Sequence, residues 1–422
     1  MRWSWLPLAL LACEREPATP TVPGDDDDDV TTTPTGDTSP PAPTDTPSEH
    51  TGHTAEHTAV TTPTGHTGEV LTPTADTGPF AWPPDPVADV IVDCNGGGNF
   101  TTIQAAIDAS VSGMHIGVRP CRYTERIDYR GKSVDVFGID GSATTILYGG
   151  GSGTVVRVAR GESDGTRLAG FTITGGSGND GGAIRVLFST LELEDVILAN
   201  NGNGSGNVLE ADASRVTWVG GGAGANDVGA FGDVVDANGG VLALEDVSIA
   251  CEGARSSVYT HNVGLVLDSE ITCDGTYGWF VERGEILAKR TRFEGGGTAA
   301  LWAEDRDDNR SENAVLINSA FVGGNLGAHV RYMDLNAVNS VFLGQQTGLE
   351  FLDGREDSHV HNSVLWGATC GLRGDPVLRS DVDWNLFAGP PSCNAHGDHT
   401  LTGDPMFVAA PDDLHPLPGS PL

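Results

Sequence analysis

Four charged loops in the C-terminal third of the chain carry the side chains best suited to bind a ligand. They are AEDRDDNRSEN from Ala303, RYMD from Arg331, DGREDS from Asp353 and RGD from Arg373. Each loop precedes the same recurring apolar segment, so we expect the four loops to stack along one edge of the protein. Carboxylates and guanidinium groups in such an array could bind an acidic sugar or a cation. The alternative is a solvated surface whose Asp and Arg side chains pair with one another, which contributes little to stability.

The loops suggest two kinds of ligand contact. Three oxygen-bearing residues, Asp305, Asp307 and Asn309, have the alternate spacing of a calcium loop, but the glycine that gives such loops their turn is missing. The sequence therefore predicts no cofactor, with calcium as the alternative. The candidate ligand-binding residues of the loops are Asp305, Asp307, Asn309, Arg310, Arg331, Asp353 and Arg355. Three aromatic residues, Trp279, Trp302 and Tyr332, could stack on sugar rings.

A second set of polar residues recurs at one position of a repeated segment: Asp246, Asp268, Asn318, Asn339 and Asn362. Two carboxylates on neighbouring repeats could share a metal ion or divide acid and base roles. Further along the chain, however, the position becomes asparagine, and Asp and Asn both cap turns. We therefore interpret this series as structural.

Six cysteines follow Cys13, and they fall into pairs. Cys251 and Cys273 are 22 residues apart, and Cys370 and Cys393 are 23 apart. An even number of cysteines in an exported chain favours disulfides. We predict the disulfides Cys251–Cys273 and Cys370–Cys393, and also Cys94–Cys121. The alternative is free cysteines stacked in the core.

The elements that must position these residues are short strands that recur about every 20–25 residues. Apolar residues alternate within each segment, and Gly, Asn and Asp separate the segments, as expected for strands joined by tight turns. Helical periodicity is nearly absent after residue 112, so the pattern predicts a parallel β-helix. Before it, Thr101 to Gln104 form a capping-box pattern, and Ile103, Ile107 and Val111 share one face. We expect a short helix, N-capped by Thr101, to cover the open end of the solenoid.

Several segments resemble the pectin-lyase-like right-handed β-helix proteins. The opening stretches are DCNGGGNFTTIQAAIDA from Asp93, IGVRPCRYTERI from Ile116, GKSVDVFGIDGSATTIL from Gly131 and LAGFTITGG from Leu168. The tail from Gly403 resembles the closing segment of bacterial members. The resemblance covers about residues 87–422 and implies an all-β, right-handed parallel β-helix. It implies little about activity, because this fold hosts many functions.

The opening FTTIQAAIDA also resembles pectin methylesterases. The nearest counterpart to their central aspartate motif is GAFGDVVDANGG, with Asp233 and Asp236. This segment departs from the family pattern, and the later Gly-Arg-Pro-Trp segment of that family has no match. The paired aspartates of polygalacturonases are missing too. No catalytic residue is therefore assigned from the sequence.

The N-terminal region differs in composition from the rest of the chain. MRWSWLPLALLAC resembles a bacterial lipoprotein signal peptide, which implies residues 1–12 as the signal and Cys13 as the lipidated residue. Residues 13–86 are rich in Thr, Pro and Asp, and such a segment is expected to be a disordered linker. Residues 87–422 are predicted to form the β-helix domain.

The net charge of −35 argues against a nucleic-acid partner. We predict a lipid-anchored protein of the outer membrane or cell surface, whose β-helix is a non-enzymatic module that binds extracellular polysaccharide or a cell-surface protein. The alternative is a polysaccharide-active enzyme, a lyase, hydrolase or epimerase acting on uronate-containing glycans.

Overall fold

The computed structural model describes residues 86–202, 204, 206–305, 312–354, 358–374, 382–388, 393, 401–409, 413–418 and 420. Cys13, the predicted signal peptide and the predicted linker lie outside these residues. Among the candidate ligand-binding residues, Asp307, Asn309, Arg310 and Arg355 also lie outside them.

One short helix, α1 (Ile103–Ala109), and many short strands make up the described chain. The N-terminal strands are β1 (Val90–Val92), β2 (His115–Val118), β3 (Cys121–Thr124), β4 (Ile127–Asp128), β5 (Asp135–Gly138), β6 (Thr145–Tyr148), β7 (Val156–Val158), β8 (Arg167–Thr174) and β9 (Ile184–Leu187). The middle strands are β10 (Thr190–Ala199), β11 (Leu209–Gly224), β12 (Asp233–Glu245), β13 (Ser248–Cys251), β14 (Ser256–Leu267), β15 (Glu270–Cys273), β16 (Tyr277–Arg283), β17 (Ile286–Lys289), β18 (Arg292–Gly295) and β19 (Ala299–Glu304).

The C-terminal strands continue the same succession. They are β20 (Asn313–Ile317), β21 (Ala320–Gly323), β22 (Leu326–Arg331), β23 (Asp334–Val338), β24 (Val341–Gly344), β25 (Thr347–Leu352), β26 (His359–His361), β27 (Val364–Gly367), β28 (Cys370–Gly374), β29 (Val382–Asp383), β30 (Leu386–Ala388), β31 (Leu401–Thr402), β32 (Phe407–Ala409) and β33 (Asp413–Pro416). The last two pair as an antiparallel hairpin.

The other strands wind into a parallel β-helix of about 12 turns, which confirms the predicted fold. Each coil contributes one strand to each of three parallel sheets. Strands β17, β20, β23 and β26 represent the first sheet, β18, β21, β24 and β27 the second, and β16, β19, β22, β25 and β28 the third. The long strands β8, β10, β12 and β14 bend at a corner and belong to two sheets each, and the longest, β11, belongs to all three.

The core is a column of apolar side chains along the axis of the coil. Strand alternation turns every second residue inward, so equivalent residues of successive coils lie on one another. The clearest example is a stack of three buried rings on the second sheet, in which Phe293 and Phe321 lie 5.1 Å apart and Phe321 and Phe342 5.2 Å. The buried ring of Trp279, from the third sheet, lies 5.4 Å from Phe293 at one end of this stack. This packing in register ties each coil to its neighbours.

The recurring Asp and Asn residues form the corner between the first and second sheets. Asp246, Asp268, Asn318, Asn339 and Asn362 all have φ between 49° and 54°, the left-handed region that Asn and Asp tolerate best. Their structural interpretation is therefore confirmed. The backbone, rather than a metal ion or a catalytic reaction, accounts for the repeated residue type.

The residue after four of these corners, and after the equivalent corner at Arg290, points inward, and these residues form a buried ladder of polar side chains. The backbone N–H of Ser269 donates to Thr291 Oγ1, Thr291 N–H to Ser319 Oγ, Ser319 N–H to Ser340 Oγ, and Ser340 N–H to Ser363 Oγ. Another such ladder is built by Asn201 and Asn226. These side chains satisfy backbone groups that the turn removes from the sheets.

Three disulfides join neighbouring coils: Cys94–Cys121, Cys251–Cys273 and Cys370–Cys393, as the spacing predicted. Cys251 and Cys273 are direct partners between β13 and β15, and their Cα atoms are 4.7 Å apart. This distance is the separation of two adjacent coils, so the bridge forms without displacing the strands.

Helix α1 covers the N-terminal end of the coil, but it begins one residue later than predicted. Thr102, not Thr101, is the N-cap, and the first two helical N–H groups donate to the Glu125 carboxylate at 2.8 and 2.9 Å. This carboxylate replaces the predicted capping box, because Gln104 instead bonds the backbone of Asp128. Val111 lies beyond the helix and is 67% exposed, so its predicted place on the buried face is wrong. Within the described residues, no helix is long and apolar enough to cross a membrane.

Candidate functional site

The structure describes three of the candidate ligand-binding residues on the loop edge. Arg331 pairs with Asp353 at 2.8 Å and with Glu304 at 3.4 Å, and it donates to the Tyr332 hydroxyl. Asp305 is 1% exposed at the end of β19. The described part of this edge thus matches the self-paired alternative, and its charged groups mostly bind one another.

A different surface brings together a longer series of functional side chains. The third sheet places outward-facing residues of successive coils in one row, which we call the lateral column. Its members are Arg185, Glu210, Asp236, Tyr259, Phe280, Trp302, His329, Glu350 and Arg373. Adjacent members are direct partners in parallel pairs, so the row runs along the axis of the coil.

The middle of the lateral column is aromatic. Tyr259 and Phe280 have ring centroids 5.5 Å apart, and Tyr277, beside the column, stacks on Phe280 at 4.9 Å. Trp302 follows on the next coil and lies 5.7 Å from Tyr277. Tyr277, Phe280 and Trp302 are partly exposed, so their rings form an apolar strip open to solvent. Trp279, which was predicted to stack on sugars, points the other way into the core and is fully buried.

The N-terminal end of the lateral column is acidic. Glu210 and Asp236 lie directly opposite each other on β11 and β12. The side-chain amide of Asn207 donates to both carboxylates, at 3.3 Å to Glu210 and 2.8 Å to Asp236. The second carboxylate oxygen of Asp236, Oδ1, is buried and has no hydrogen-bond partner. Two carboxylates of neighbouring coils therefore share one donor.

A salt bridge borders this acidic end. The Arg255 guanidinium binds both carboxylate oxygens of Asp233, and Ser256 donates to one of them. The same guanidinium lies 4.7 Å from the centroid of the Tyr259 ring and 5.4 Å from that of Phe280. A cation thus already occupies one face of the aromatic strip, as cation–π attraction favours.

Burial raises the pKa of both acidic residues of the column to about 7. For Glu210, the charges of Asp180, Asp212 and Asp236 add to this effect. For Asp236, the charge of Asp233 adds to it and Arg255 opposes it. At neutral pH the pair therefore holds protons that ordinary surface carboxylates would have lost.

The two carboxylates make the stability of the fold depend on pH. Both have a higher pKa in the folded chain than in the unfolded one, so the folded state binds more protons between about pH 4 and pH 7. Stability that is present below this interval is lost as the pH rises through it. We expect the variant Glu210→Gln/Asp236→Asn to lack this pH-dependent loss of stability, which amounts to about 1–2 kcal/mol over the interval. The loss is modest because both groups are partly exposed and water screens their charges.

Urea denaturation of the wild type and of this variant at several pH values measures the effect. Glu192→Gln, which neutralises an exposed carboxylate on β10, is the matched control and should keep the wild-type profile. Parallel pH profiles for the wild type and the double variant would contradict the assignment.

The C-terminal end of the lateral column is charged but internally paired. Nδ1 of His329 lies 2.8 Å from Oε2 of Glu350, and Arg373 lies 3.0 Å from the other oxygen. The hydrogen bond with His329 lowers the pKa of Glu350, so this carboxylate is ionised at neutral pH. The buried His329 ring stacks on Trp302 with centroids 3.9 Å apart, which supports the Trp302 end of the aromatic strip.

Metal binding has no further support in the described chain. No three His, Cys, Asp or Glu side chains there are grouped so as to hold a metal ion. A shallow cavity at the corner of the first and second sheets is lined by Arg167, Glu194 and Asp195. Arg167 already binds Glu194 and Asp135 there, so the cavity offers little unpaired charge to a ligand.

Sequence reasoning identified only part of the lateral column. Trp302 was a predicted sugar platform, and Asp236 was considered and set aside. Glu210, Tyr259, Phe280, His329 and Glu350 were missed, because each lies on a different coil and no local motif marks it. The corner residues Asp246, Asp268 and Asn339 could have located these members in the sequence. Each corner ends the first-sheet strand of its coil, and the third-sheet strand that carries the column comes directly before that strand.

No protein-family model matches this chain, and no curated protein matches it. Among solved structures, a pectin methylesterase from carrot is similar over 68% of this chain and 88% of the carrot chain, with 12% sequence identity and a TM-score of 0.34. At this level of similarity the carrot enzyme says nothing about the chemistry of this chain.

Proposed function

We propose that this is a lipid-anchored cell-envelope protein whose β-helix binds a linear polysaccharide along the lateral column. The observation that carries the proposal is the partly exposed aromatic strip of Tyr277, Phe280 and Trp302, in which Phe280 and Trp302 follow the axis of the coil and Tyr277 lies beside Phe280 on the same strand. Flat aromatic rings bind the apolar faces of sugars, and the polar groups on both sides supply hydrogen bonds to hydroxyl groups. The lipid anchor and the surface location rest on the N-terminal sequence.

The geometry of the strip suits a chain-like ligand. Aromatic side chains recur on successive coils, and strands of a sheet lie about 4.8 Å apart. A sugar ring has a similar length, so neighbouring rings of a linear glycan could contact neighbouring coils. A small compact ligand would contact only part of this row.

Binding of the full-length protein to a panel of polysaccharides, by affinity electrophoresis and calorimetry, tests the proposal. Phe280→Ala/Trp302→Ala is expected to weaken binding by about tenfold or more, because it removes two stacking surfaces. Trp366→Ala is the matched control: it removes a 41% exposed tryptophan from the second sheet and should change affinity less than about twofold.

Thermal denaturation must show that the double variant remains folded. Absence of binding to every glycan would contradict the proposal, and so would an equal loss of affinity in Trp366→Ala.

A second candidate function is polysaccharide cleavage at the acidic end of the column. The observation in its favour is the stacked pair Glu210 and Asp236, since one protonated and one ionised carboxyl group can act as acid and base. Release of reducing ends or of unsaturated products from the same glycans would support this function. Product formation that persisted in Glu210→Gln/Asp236→Asn would exclude the pair as its source.

A further inference from the structure

One coil of the solenoid contains a buried charge that the coils after it lack. The side chain of Asp233, at the start of β12, is 1% exposed. The direct partners of this position on the following coils are uncharged, namely Ser256, Tyr277, Ala299, Leu326 and Thr347. A buried ion pair is often no more stabilising than apolar side chains of similar size, so the repeat itself does not account for this carboxylate.

The partner of Asp233, Arg255, is held in one position beside the aromatic strip. Nε and Nη2 of its guanidinium donate to the two carboxylate oxygens of Asp233. The guanidinium carbon lies 4.7 Å from the centroid of the Tyr259 ring and 5.4 Å from that of Phe280. Nη1 makes no hydrogen bond to any described residue, and 36% of the side chain is exposed. The strip therefore has a preoriented donor at its edge, which a freely rotating surface arginine would not provide.

Arg255 brings a directed donor to the strip but almost no net charge. Asp233 neutralises the guanidinium, and further carboxylates lie nearby: Asp236 directly precedes Tyr259 in the lateral column, and Glu282 accepts a hydrogen bond from the Tyr259 hydroxyl. A carboxylate of the ligand would lose water beside these groups, and the neutralised guanidinium would not compensate for that loss. A hydroxyl or carbonyl oxygen of a sugar would accept from Nη1 at a much smaller cost of desolvation.

We propose that Arg255 orients the sugar that stacks on Phe280, and that the lateral column therefore binds uncharged linear glycans. Nη1 donates a hydrogen bond to a hydroxyl or carbonyl oxygen of this sugar, while the next ring lies on Trp302 of the following coil. The ion pair with Asp233 holds the donor in place and cancels the charge that would attract uronates. This inference rests on the proposed function and specifies the class of its ligand.

Hexamers of β-1,4-linked glucose, mannose and galactose test the inference. Each is compared with the same hexamer after oxidation of its C6 hydroxymethyl groups to carboxylates, so that the chain and its linkage stay the same while the charge changes. We expect the full-length wild-type protein to bind at least one neutral hexamer in calorimetry. The oxidised form of that hexamer should bind about tenfold more weakly at neutral pH.

Two variants separate the hydrogen bond from the charge. Asp233→Asn keeps the size of the side chain and an acceptor for Arg255, but it leaves the guanidinium charge unmatched. This variant should bind the oxidised hexamer about tenfold more tightly than the wild type does, and the neutral hexamer within about threefold. Asp233→Asn/Arg255→Met replaces the ion pair by uncharged side chains of similar size, so the fold should be retained. It should bind the neutral hexamer about tenfold more weakly and gain no affinity for the oxidised one.

Asp268→Asn is the matched control. Asp268 binds Arg290 with both carboxylate oxygens at the corner between the first and second sheets, so this substitution also leaves an arginine unmatched, but away from the strip. Asparagine occupies the equivalent corner at Asn318, so the fold should be retained. Affinity for either form of the hexamer should change by less than about twofold.

Several results would overturn the inference. They are equal or tighter binding of the oxidised hexamers by the wild type, absence of binding to all three neutral hexamers, an unchanged preference in Asp233→Asn, an equal gain in Asp268→Asn, and wild-type affinity for the neutral hexamer in Asp233→Asn/Arg255→Met. If Phe280→Ala/Trp302→Ala abolished the binding of a charged polysaccharide, the proposed function would survive such a result. Absence of binding to every glycan would reject both.

Discussion

Replacement of Phe321 by alanine is expected to lower the free energy of unfolding by about 3–5 kcal/mol. The side chain is fully buried, and its ring lies between those of Phe293, at 5.1 Å, and Phe342, at 5.2 Å. Alanine would leave a cavity at the centre of the coil. The neighbouring rings cannot close it, because hydrogen-bonded strands fix the separation of the coils. Two packed neighbours, rather than one, would lose contact.

Urea denaturation followed by tryptophan fluorescence measures this loss. Phe231→Ala is the matched control, because Phe231 is 94% exposed and its removal should change stability by less than about 0.5 kcal/mol. A loss below about 1 kcal/mol in Phe321→Ala would show that the stack is not a principal source of stability.

Replacement of Asn201 by leucine is expected to cost about 3 kcal/mol, although it adds an apolar side chain to a buried position. The Asn201 side chain accepts from Gly176 N–H at 3.0 Å and donates to the carbonyl of Ile173 at 2.9 Å. Leucine would leave the buried Gly176 N–H without this acceptor and would remove the hydrogen bond to the Ile173 carbonyl. It would also disturb Asn226, whose amide oxygen lies within reach of the same amide nitrogen.

Asn336→Leu is the control for this substitution, because Asn336 is exposed on β23. Its effect should stay within about 0.5 kcal/mol. Equal stability of Asn201→Leu and the wild type would contradict the view that the asparagine ladder is needed to satisfy the turn.

The sequence predicted the architecture because the repeat acts on every coil in the same way. Cys251 and Cys273 occupy equivalent positions on neighbouring coils, so their spacing alone predicted both the repeat and the bridge. Asp246 and Asp268 revealed the corner, because a left-handed turn accepts few residue types. The helix start was wrong by one residue, since the capping carboxylate comes from Glu125, on a later part of the first coil.

The lateral column could be predicted only in part, for a physical reason. Its members are neighbours through coil stacking, not through sequence. The number of residues between successive members also varies, because one coil has additional residues between Glu304 and Asn313. The pKa of Asp236 was beyond prediction, because it depends on burial and on Asp233, and strand alternation alone fixes neither. Conversely, the sequence marked Arg331 and Asp353 as candidate ligand-binding residues, but in the structure they form a salt bridge with each other.

The hydrogen bonds that join successive coils in the three sheets run along the axis of the coil. A mechanical load applied along that axis at the β1 end would therefore act on the outermost coil alone, since each coil bonds only to its neighbours. The force needed to peel off one coil would not increase with the number of coils behind it. Such a chain would extend in steps of one coil under tension, and each disulfide would prevent extension of the residues it encloses, beginning with Cys94–Cys121 at the β1 end and later Cys251–Cys273.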